Sequence, residues 1–282
     1  MLSSLVHGFY KCMPDAIYHQ LKYAMFFHKI PHLSKPKYYS EKLMRRKVYP
    51  RSIYTQLSDK YQVRDYIAKL WGEEYLIELY AQGETLTEEM YQRLPNAFVI
   101  KANHGSGYNQ LVFDKAQTSF NELRTLTEGW MRQNFYQVYR ERHYKDIPPR
   151  ILVEKMLMEK GKTPNDIKIH CFNRDGEIRF FIQIDYQRFI DHRRDFFDQD
   201  WNRTEIRMGV PNSDVPMAKP SQLRLMLALT RRVAEQFSYV RVDFYQVEER
   251  VYFGELTFTP GAGLQKLLPA TVEKEWGSYF FE

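Results

Sequence analysis

The stretch RVDFYQVEERVYFGELTFTPGAG, residues 241–263, constrains this chain more than any other. It reads as two strands, and strand side chains alternate between faces. Arg241, Asp243 and Tyr245 share one face, with Val242 and Phe244 on the other. On the second strand Phe253, Glu255 and Thr257 share a face, opposite Gly254, Leu256 and Phe258. A turn centred on Glu249 sets Asp243 opposite Glu255 and Arg241 opposite Thr257. Directly opposed Cβ atoms lie about 4.5–5.5 Å apart, and like charges there repel. A cation between the carboxylates removes the repulsion. Mg2+ suits one or two carboxylates completed by phosphate oxygens and water, and Arg241 alongside offers a bidentate fork for phosphate or carboxylate. The competing reading is a hairpin with one wet face. VEER also lacks the glycine of a tight turn, which leaves the register open to a one-residue slip.

A second signal is IKANHGSG. Lys101 ends a strand, the loop His104-Gly105-Ser106-Gly107 follows, and QLVFD returns. Glycines let backbone N–H groups approach an anion closely, and a lysine adds a point charge for phosphate. The pattern is neither a Walker loop nor a dinucleotide-binding turn, and a plain hairpin turn competes with it. His104 is either a substrate contact or a solvent-facing loop histidine.

Around these signals the periodicity predicts helices first and strands later. Helices are expected near Ala16–Phe27, from Ser40 as N-cap, from Ser58 as N-cap to just before Gly72, over Thr87–Leu94, over Phe120–His143 and over Ser221–Phe237. Strands are expected at Tyr75–Ala81, Phe98–Asn103, Gln110–Asp114 and Arg150–Leu157. DIKIHCFN and EIRFFIQIDY flank Arg174-Asp175-Gly176, a hairpin signal. The order implies an α+β chain with antiparallel sheets.

Composition excludes several classes. With 44% hydrophobic and 27% charged residues, the 282-residue chain can bury a core. Its 41 basic and 35 acidic residues leave 41 − 35 = +6, no nucleic-acid signature by itself. Lys29, Lys35, Lys37, Lys42, Arg45, Arg46, Lys47 and Arg51 share a segment whose only acid is Glu41. That cluster is either a solvated helix face or a surface for a polyanion or anionic membrane. Cys12 and Cys171 form no disulfide framework, which points to a reducing compartment. His170 and Cys171 are adjacent on a strand and face opposite ways, so they do not share a metal. No apolar run reaches the roughly 20 residues needed to span a bilayer. The start lacks a basic n-region, so the cytoplasm is the expected location.

Together DKYQVRDY, LPNAFVIKANHGSG, ILVEKML, DIKIHCFN and RVDFY…YFGELTFTPGAG resemble the TupA-like ATP-grasp family of polysaccharide and teichuronopeptide biosynthesis, from about Lys35 to the C-terminus. The resemblance implies an ATP-grasp fold: a mainly helical region over 1–95, a mobile strand-loop-strand lid over 96–157 and an antiparallel catalytic sheet over 158–282. It implies ATP and Mg2+ as cofactors. Lys60, Lys101 and Lys168 match nucleotide-binding lysines, and Gly105, Ser106 and Gly107 match the phosphate-covering loop. Glu154, Lys155, Met156 and Leu157 match the hinge that meets adenine. Asp243 and Glu255 match magnesium ligands, and Arg241 matches the arginine that steadies the transferred phosphoryl group, with Lys101 as its catalytic companion. Thr257 matches the third metal position, where the superfamily usually has asparagine; its hydroxyl is a poorer metal ligand than that amide.

The implied reaction is ADP-forming ligation of a carboxylate to an amine. The expected acceptor is a hexuronic acid of a capsular or other cell-surface polysaccharide or its nucleotide-sugar precursor, and the amine an amino acid or amino alcohol. Arg188, Arg193 and Arg194, with His104 and Gly261, are the candidate acceptor contacts, and the Lys29 to Arg51 segment could meet an anionic glycan or the inner membrane face. No nucleic-acid partner is implied. Two rival classes remain open: a glycosyltransferase using Asp198-Gln199-Asp200, and a non-catalytic glycan- or membrane-surface binding protein.

Overall fold

Helices dominate the start of the chain and strands the remainder. The computed structural model describes residues 13–186 and 191–281. Helices α1 (Asp15–Phe27), α2 (Tyr39–Val48), α3 (Ile53–Ser58) and α4 (Gln62–Leu70) come first. Strand β1 (Leu79–Gly83) and α5 (Glu88–Arg93) precede the hairpin of β2 (Phe98–Ala102) and β3 (Asn109–Val112). Helices α6 (Phe120–Met131) and α7 (Tyr136–Tyr139) then lead to β4 (Ile151–Lys155). Next come β5 (Asp166–Arg174), β6 (Glu177–Tyr186), β7 (Arg193–Phe197), β8 (Arg207–Met208) and α8 (Leu223–Ala234). Strands β9 (Tyr239–Val247), β10 (Arg250–Thr257) and β11 (Leu267–Leu268) and helix α9 (Thr271–Tyr279) finish the order.

Two antiparallel sheets result, in the orders β1-β4-β2-β3 and β10-β9-β5-β6-β7, with a small β11-β8 pair beside them. The first sheet lays Phe98, Ile100, Ala102, Ile151 and Val153 against Leu123 and Trp130 of α6 and against Leu86, Tyr91 and Leu94. Residues 79–94 therefore belong to the sheet and core of the lid hairpin.

In the larger sheet one face is apolar apart from Asp195 on β7, which is buried and paired with Arg203. Ile167, Ile169, Ile182, Ile184, Val242, Phe244 and Leu256 pack on α8 and on Tyr54, Leu57, Val63 and Ile67. Its other face changes character along the strands. At one end Phe172, Phe196 and Tyr239 are covered by Tyr39 and Leu43 of α2 and Trp276 of α9. Towards the other end the same face carries the buried Lys168, Asp243 and Asp185 and the partly buried Arg241.

Local chemistry explains where the expected boundaries move. Ser40 lies inside α2, and the buried Glu41 carboxylate takes the Lys37 and Tyr38 N–H groups at 2.9 and 3.2 Å. Ser58 closes α3, and Asp59 accepts from the Tyr61 and Gln62 N–H groups ahead of α4. The single helix expected over Phe120–His143 breaks after Met131, where Asn134 Oδ1 accepts from the Tyr136 N–H and Arg140 turns left-handed at φ 53°.

The basic segment is neither a solvated face nor a free anion site over most of its length. Lys42, Arg46 and Lys47 are buried and donate to main-chain carbonyls. Arg46 donates to the Tyr239 and Phe258 carbonyls at 2.8 and 3.1 Å, Lys47 to Ala262 at 3.0 Å and Lys42 to Phe280. Arg45 and Arg51 reach the Leu33 and Gln236 carbonyls, each at 2.8 Å. These cations pin α2 and the segment after it to the larger sheet. Charge clustering in a sequence does not show which carbonyls await the charges.

Candidate active site

The β9–β10 hairpin builds the centre of the site. Its turn is Glu248-Glu249, with Val247 paired to Arg250 and Glu248 left-handed at φ 53°. Pairing runs one half-step away from a turn centred on Glu249 until Gly254. There a bulge shifts the register, and Glu255 faces Asp243 while Thr257 faces Arg241. The expected pairs are present, through a tight turn plus a bulge. A Cβ on Gly254 would lie 3.0 Å from the Asp243 carbonyl oxygen, so the bulge depends on glycine.

The repulsion between the carboxylates is answered from within the protein. Arg241 Nε and Nη2 donate to the two Asp243 oxygens at 2.6 and 2.7 Å. Nη2 also reaches Glu255 Oε1 and Thr257 Oγ1, both at 3.0 Å. Lys168, opposite Asp243 on β5, donates to Asp243 Oδ2 at 3.1 Å and lies 3.1 Å from Asp166. The Thr257 hydroxyl donates to Glu255 Oε1 at 3.1 Å. Thr257 thus orders Glu255 and Arg241 in this arrangement.

Electrostatics separate the two acids. Burial opposes ionisation of Glu255, but Lys60, Arg241 and Lys168 outweigh it and hold its carboxyl at about 2. Burial raises Asp243 above the usual carboxylate range, against the pull of Arg241 and Lys168. For Lys60, burial and the neighbouring Lys101 lower the ammonium against the opposing effect of Glu255.

The lid sheet brings the other expected residues close. Lys60 donates to the Gly105 carbonyl and lies 3.9 Å from Glu255 Oε2, so one side chain joins the glycine loop to the hairpin. Its main-chain N–H donates to the Asn103 carbonyl at 3.2 Å. Lys101 pairs with Glu154 at 2.6 Å, and Arg64 of α4 meets the other Glu154 oxygen at 3.3 Å. Glu154 is thereby buried and engaged, while Lys155 is exposed and Met156 buried at the end of β4. Gly107 is left-handed at φ 82° and Ser106 is exposed, whereas a Cβ on Gly105 would collide with Tyr108 and Phe135.

Some acceptor candidates lie elsewhere than expected. His104 does not face solvent: its ring is buried, with Nε2 3.2 Å from the Trp130 carbonyl and Nδ1 3.3 Å from Asn103 Oδ1. Both ring nitrogens are occupied inside the protein. Arg194 is buried too, donating to Asp185 at 2.6 Å and the Met208 carbonyl at 2.7 Å, so it is a structural cation in this conformation. Arg193 is partly exposed and pairs with Asp191 at 3.1 Å. Arg188 lies outside the described residues. Gly261 is exposed and left-handed at φ 59° in the turn Pro260–Gly263.

Asp185 was not singled out from sequence. It lies 3.8 Å from Lys168, meets His192 at 3.0 Å and holds Arg194, joining β5, β6 and β7 on the charged end of that face. The signal was available: the Asp175-Gly176 turn sets Lys168 opposite Gln183, and alternation then puts Asp185 on that face. Asn103 and Asp59 were also missed. Asn103 Nδ2 donates to Asp59 at 2.9 Å and its Oδ1 accepts from the Arg150 N–H at 2.6 Å, holding the root of the glycine loop to α4.

Among the described residues no group of three or more His, Cys, Asp or Glu side chains is placed to hold a metal. Asp243 and Glu255 are still a fitting pair for Mg2+ that arrives with phosphate oxygens, since both are hard donors and Glu255 is ionised.

A sheet lid over an antiparallel sheet, with lysines and an Arg-Asp-Glu hairpin between, defines an ATP-grasp arrangement. The family described as TupA-like ATPgrasp matches residues 41–281, and the chain belongs to that family. ATP-grasp enzymes use ATP and Mg2+. No curated protein matches the sequence. Among solved structures, D-alanine–D-alanine ligase from Helicobacter pylori aligns at 17% identity and a TM-score of 0.44, over 80% of this chain and 61% of that one. N5-carboxyaminoimidazole ribonucleotide synthetase from Thermus thermophilus aligns at 14% and 0.41, over 79% and 48%. An ATP complex of D-alanine–D-alanine ligase from Bacillus anthracis aligns at 18% and 0.41, over 73% and 56%. The chain therefore spans about half to three-fifths of the length of these structures.

Proposed function

We propose that the protein is an ATP- and Mg2+-dependent ligase that joins a carboxylate to an amine through an acyl phosphate, releasing ADP. The observation that carries this reading is the bridge made by Lys60. It links the carbonyl of Gly105 in the glycine loop to Glu255 on the metal hairpin, so phosphates under the loop would lie beside both carboxylates. Asp243 and Glu255 would hold Mg2+, which neutralises charge on the phosphates. Lys60, Lys101 and Lys168 would grip the nucleotide phosphates, and Arg241 would move from Asp243 to the transferred group as that charge arrives. Gly105, Ser106 and Gly107 would cover the phosphates and exclude water from the acyl phosphate. The residues Glu154, Lys155, Met156 and Leu157 would frame the adenine through their main chain.

The carboxylate substrate is assigned to a hexuronic acid of a cell-surface polysaccharide or its precursor, and the amine to an amino acid or amino alcohol, on the sequence resemblance alone. The glycosyltransferase reading loses support from geometry. The Asp198 carboxylate accepts from the Asp200 and Asn202 N–H groups at 2.9 and 2.8 Å and closes a turn. The buried strand β7 precedes this turn.

ADP release from Mg-ATP should require both an acidic sugar and an amine. Asp243→Asn and Glu255→Gln should each lower it by at least about a hundredfold while leaving the fold intact by circular dichroism. Unchanged turnover in both variants would remove the ligase reading.

A further inference from the structure

Helix α1 wears its amphipathic pattern inside out. Its inner stripe, Asp15, His19 and Tyr23, is polar and buried. Asp15 accepts from Arg140 at 2.8 Å and from the Tyr136 hydroxyl at 2.7 Å. His19 Nε2 lies 2.9 Å from the Arg140 carbonyl, and the Tyr23 hydroxyl 3.0 Å from Ser40 Oγ. The outer stripe is apolar. Ile17, Leu21 and Met25 follow the same spacing, Phe26 and Ile30 adjoin them, and all five are between 41% and 72% exposed. A surface helix ordinarily turns such residues inward, and a contiguous exposed apolar face marks a contact surface.

Charge selects the occupant. Between residues 13 and 37 the cations are Lys22, Lys29, Lys35 and Lys37, and the only acid is Asp15, buried against Arg140. Lys29, Lys35 and Lys37 are exposed, and Lys266 adds a further cation 5.4 Å from the Phe26 ring. A second copy would bring two cationic faces together, whereas an anionic bilayer offers both negative headgroups and an apolar interior. We propose that the α1 face, Ile17, Leu21, Met25, Phe26 and Ile30 with its lysine rim, docks the protein on an anionic lipid surface. The inner side of α1, not the exposed face, reaches towards the site. Leu264 packs into the cluster of Tyr23, Met44 and Val48, and it follows the turn Pro260–Gly263 after the Thr257 strand. The proposal uses no part of the ligase chemistry, and its failure would leave that reading untouched.

The test is co-sedimentation of the full chain with phosphatidylglycerol-containing vesicles and with phosphatidylcholine vesicles. Binding should occur on the anionic vesicles and weaken with salt, as screening requires. The double variant Met25→Glu/Ile30→Glu should lose binding with an unchanged Tm, because both positions are exposed. Lys29→Ala should weaken binding about fivefold. No binding to anionic vesicles, or equal binding by the double variant, overturns the proposal. So does a dimer in sedimentation velocity that the double variant splits, if vesicles are ignored, since the face would then belong to a second copy.

Discussion

A Cβ on Gly254 would approach the Asp243 carbonyl oxygen to 3.0 Å, and the bulge there is what brings Glu255 opposite Asp243. Gly254→Ala should therefore push β10 off β9 and cost about 1–3 kcal/mol, read as a lower urea midpoint. An unchanged midpoint would show that the strands accommodate the methyl. At this scale much of the site was legible. Alternation alone put Arg241, Asp243, Glu255 and Thr257 on one face, and it asked for a cation between the acids. What it left open was which cation. Arg241 and Lys168 already neutralise Asp243, and that became visible only when β5 was seen beside β9.

Helix α2 carries three buried cations whose targets are carbonyls, and here sequence reading failed at the level of the element. Arg46 spans from α2 to the Tyr239 and Phe258 carbonyls, with its guanidinium 4.4 Å from the Phe280 ring centroid. Arg46→Met keeps the apolar stem but leaves both carbonyls without their donor. It should lower stability by roughly 2–4 kcal/mol, the scale of two charge-assisted hydrogen bonds less what water recovers. Thermal unfolding checks this, and an unaltered Tm would mean that α2 is held by its apolar contacts alone. Nearby, a Cβ on Gly277 would land on the Lys37 carbonyl, so α9 too is seated by a close approach. The periodicity of α2 predicted a helix correctly. It could not tell a wet basic face from one capping the ends of distant strands, because both have the same local spacing.

Over the whole molecule, three buried histidines make stability depend on pH. Burial lowers His19, His143 and His170 to about 3, assisted by Lys47 for the first, Arg46 and Lys47 for the second and Arg241 for the third. Each folded value lies below the unfolded one of about 6.5, so the unfolded chain takes protons first. Stability should be fully present above about pH 6.5 and fall towards pH 3, by up to about 1.4 kcal/mol per pH unit for each histidine. Glu255, held at about 2, adds a further loss once pH drops below the ordinary carboxylate range. A Tm series from pH 7.5 to 5 reads this slope. His143→Phe should reduce the slope by about a third, its share among the three histidines, since His143 Nδ1 is buried without a hydrogen-bond partner. A flat profile in the parent protein would refute the account.

The sequence by itself determined what neighbouring residues decide: the alternating strands, the Asp175-Gly176 turn and the motifs of the ATP-grasp family. These follow from backbone stereochemistry, whose period is the same wherever a segment ends up. Only the tertiary structure decided which charges meet. Lys60 reaches Gly105 and Glu255, Arg46 reaches Tyr239 and Phe258, and α1 turns its apolar stripe outward. Those partners lie tens to hundreds of residues apart, and burial makes their pairing obligatory because an unpaired charge away from water is costly. No local spacing carries that information.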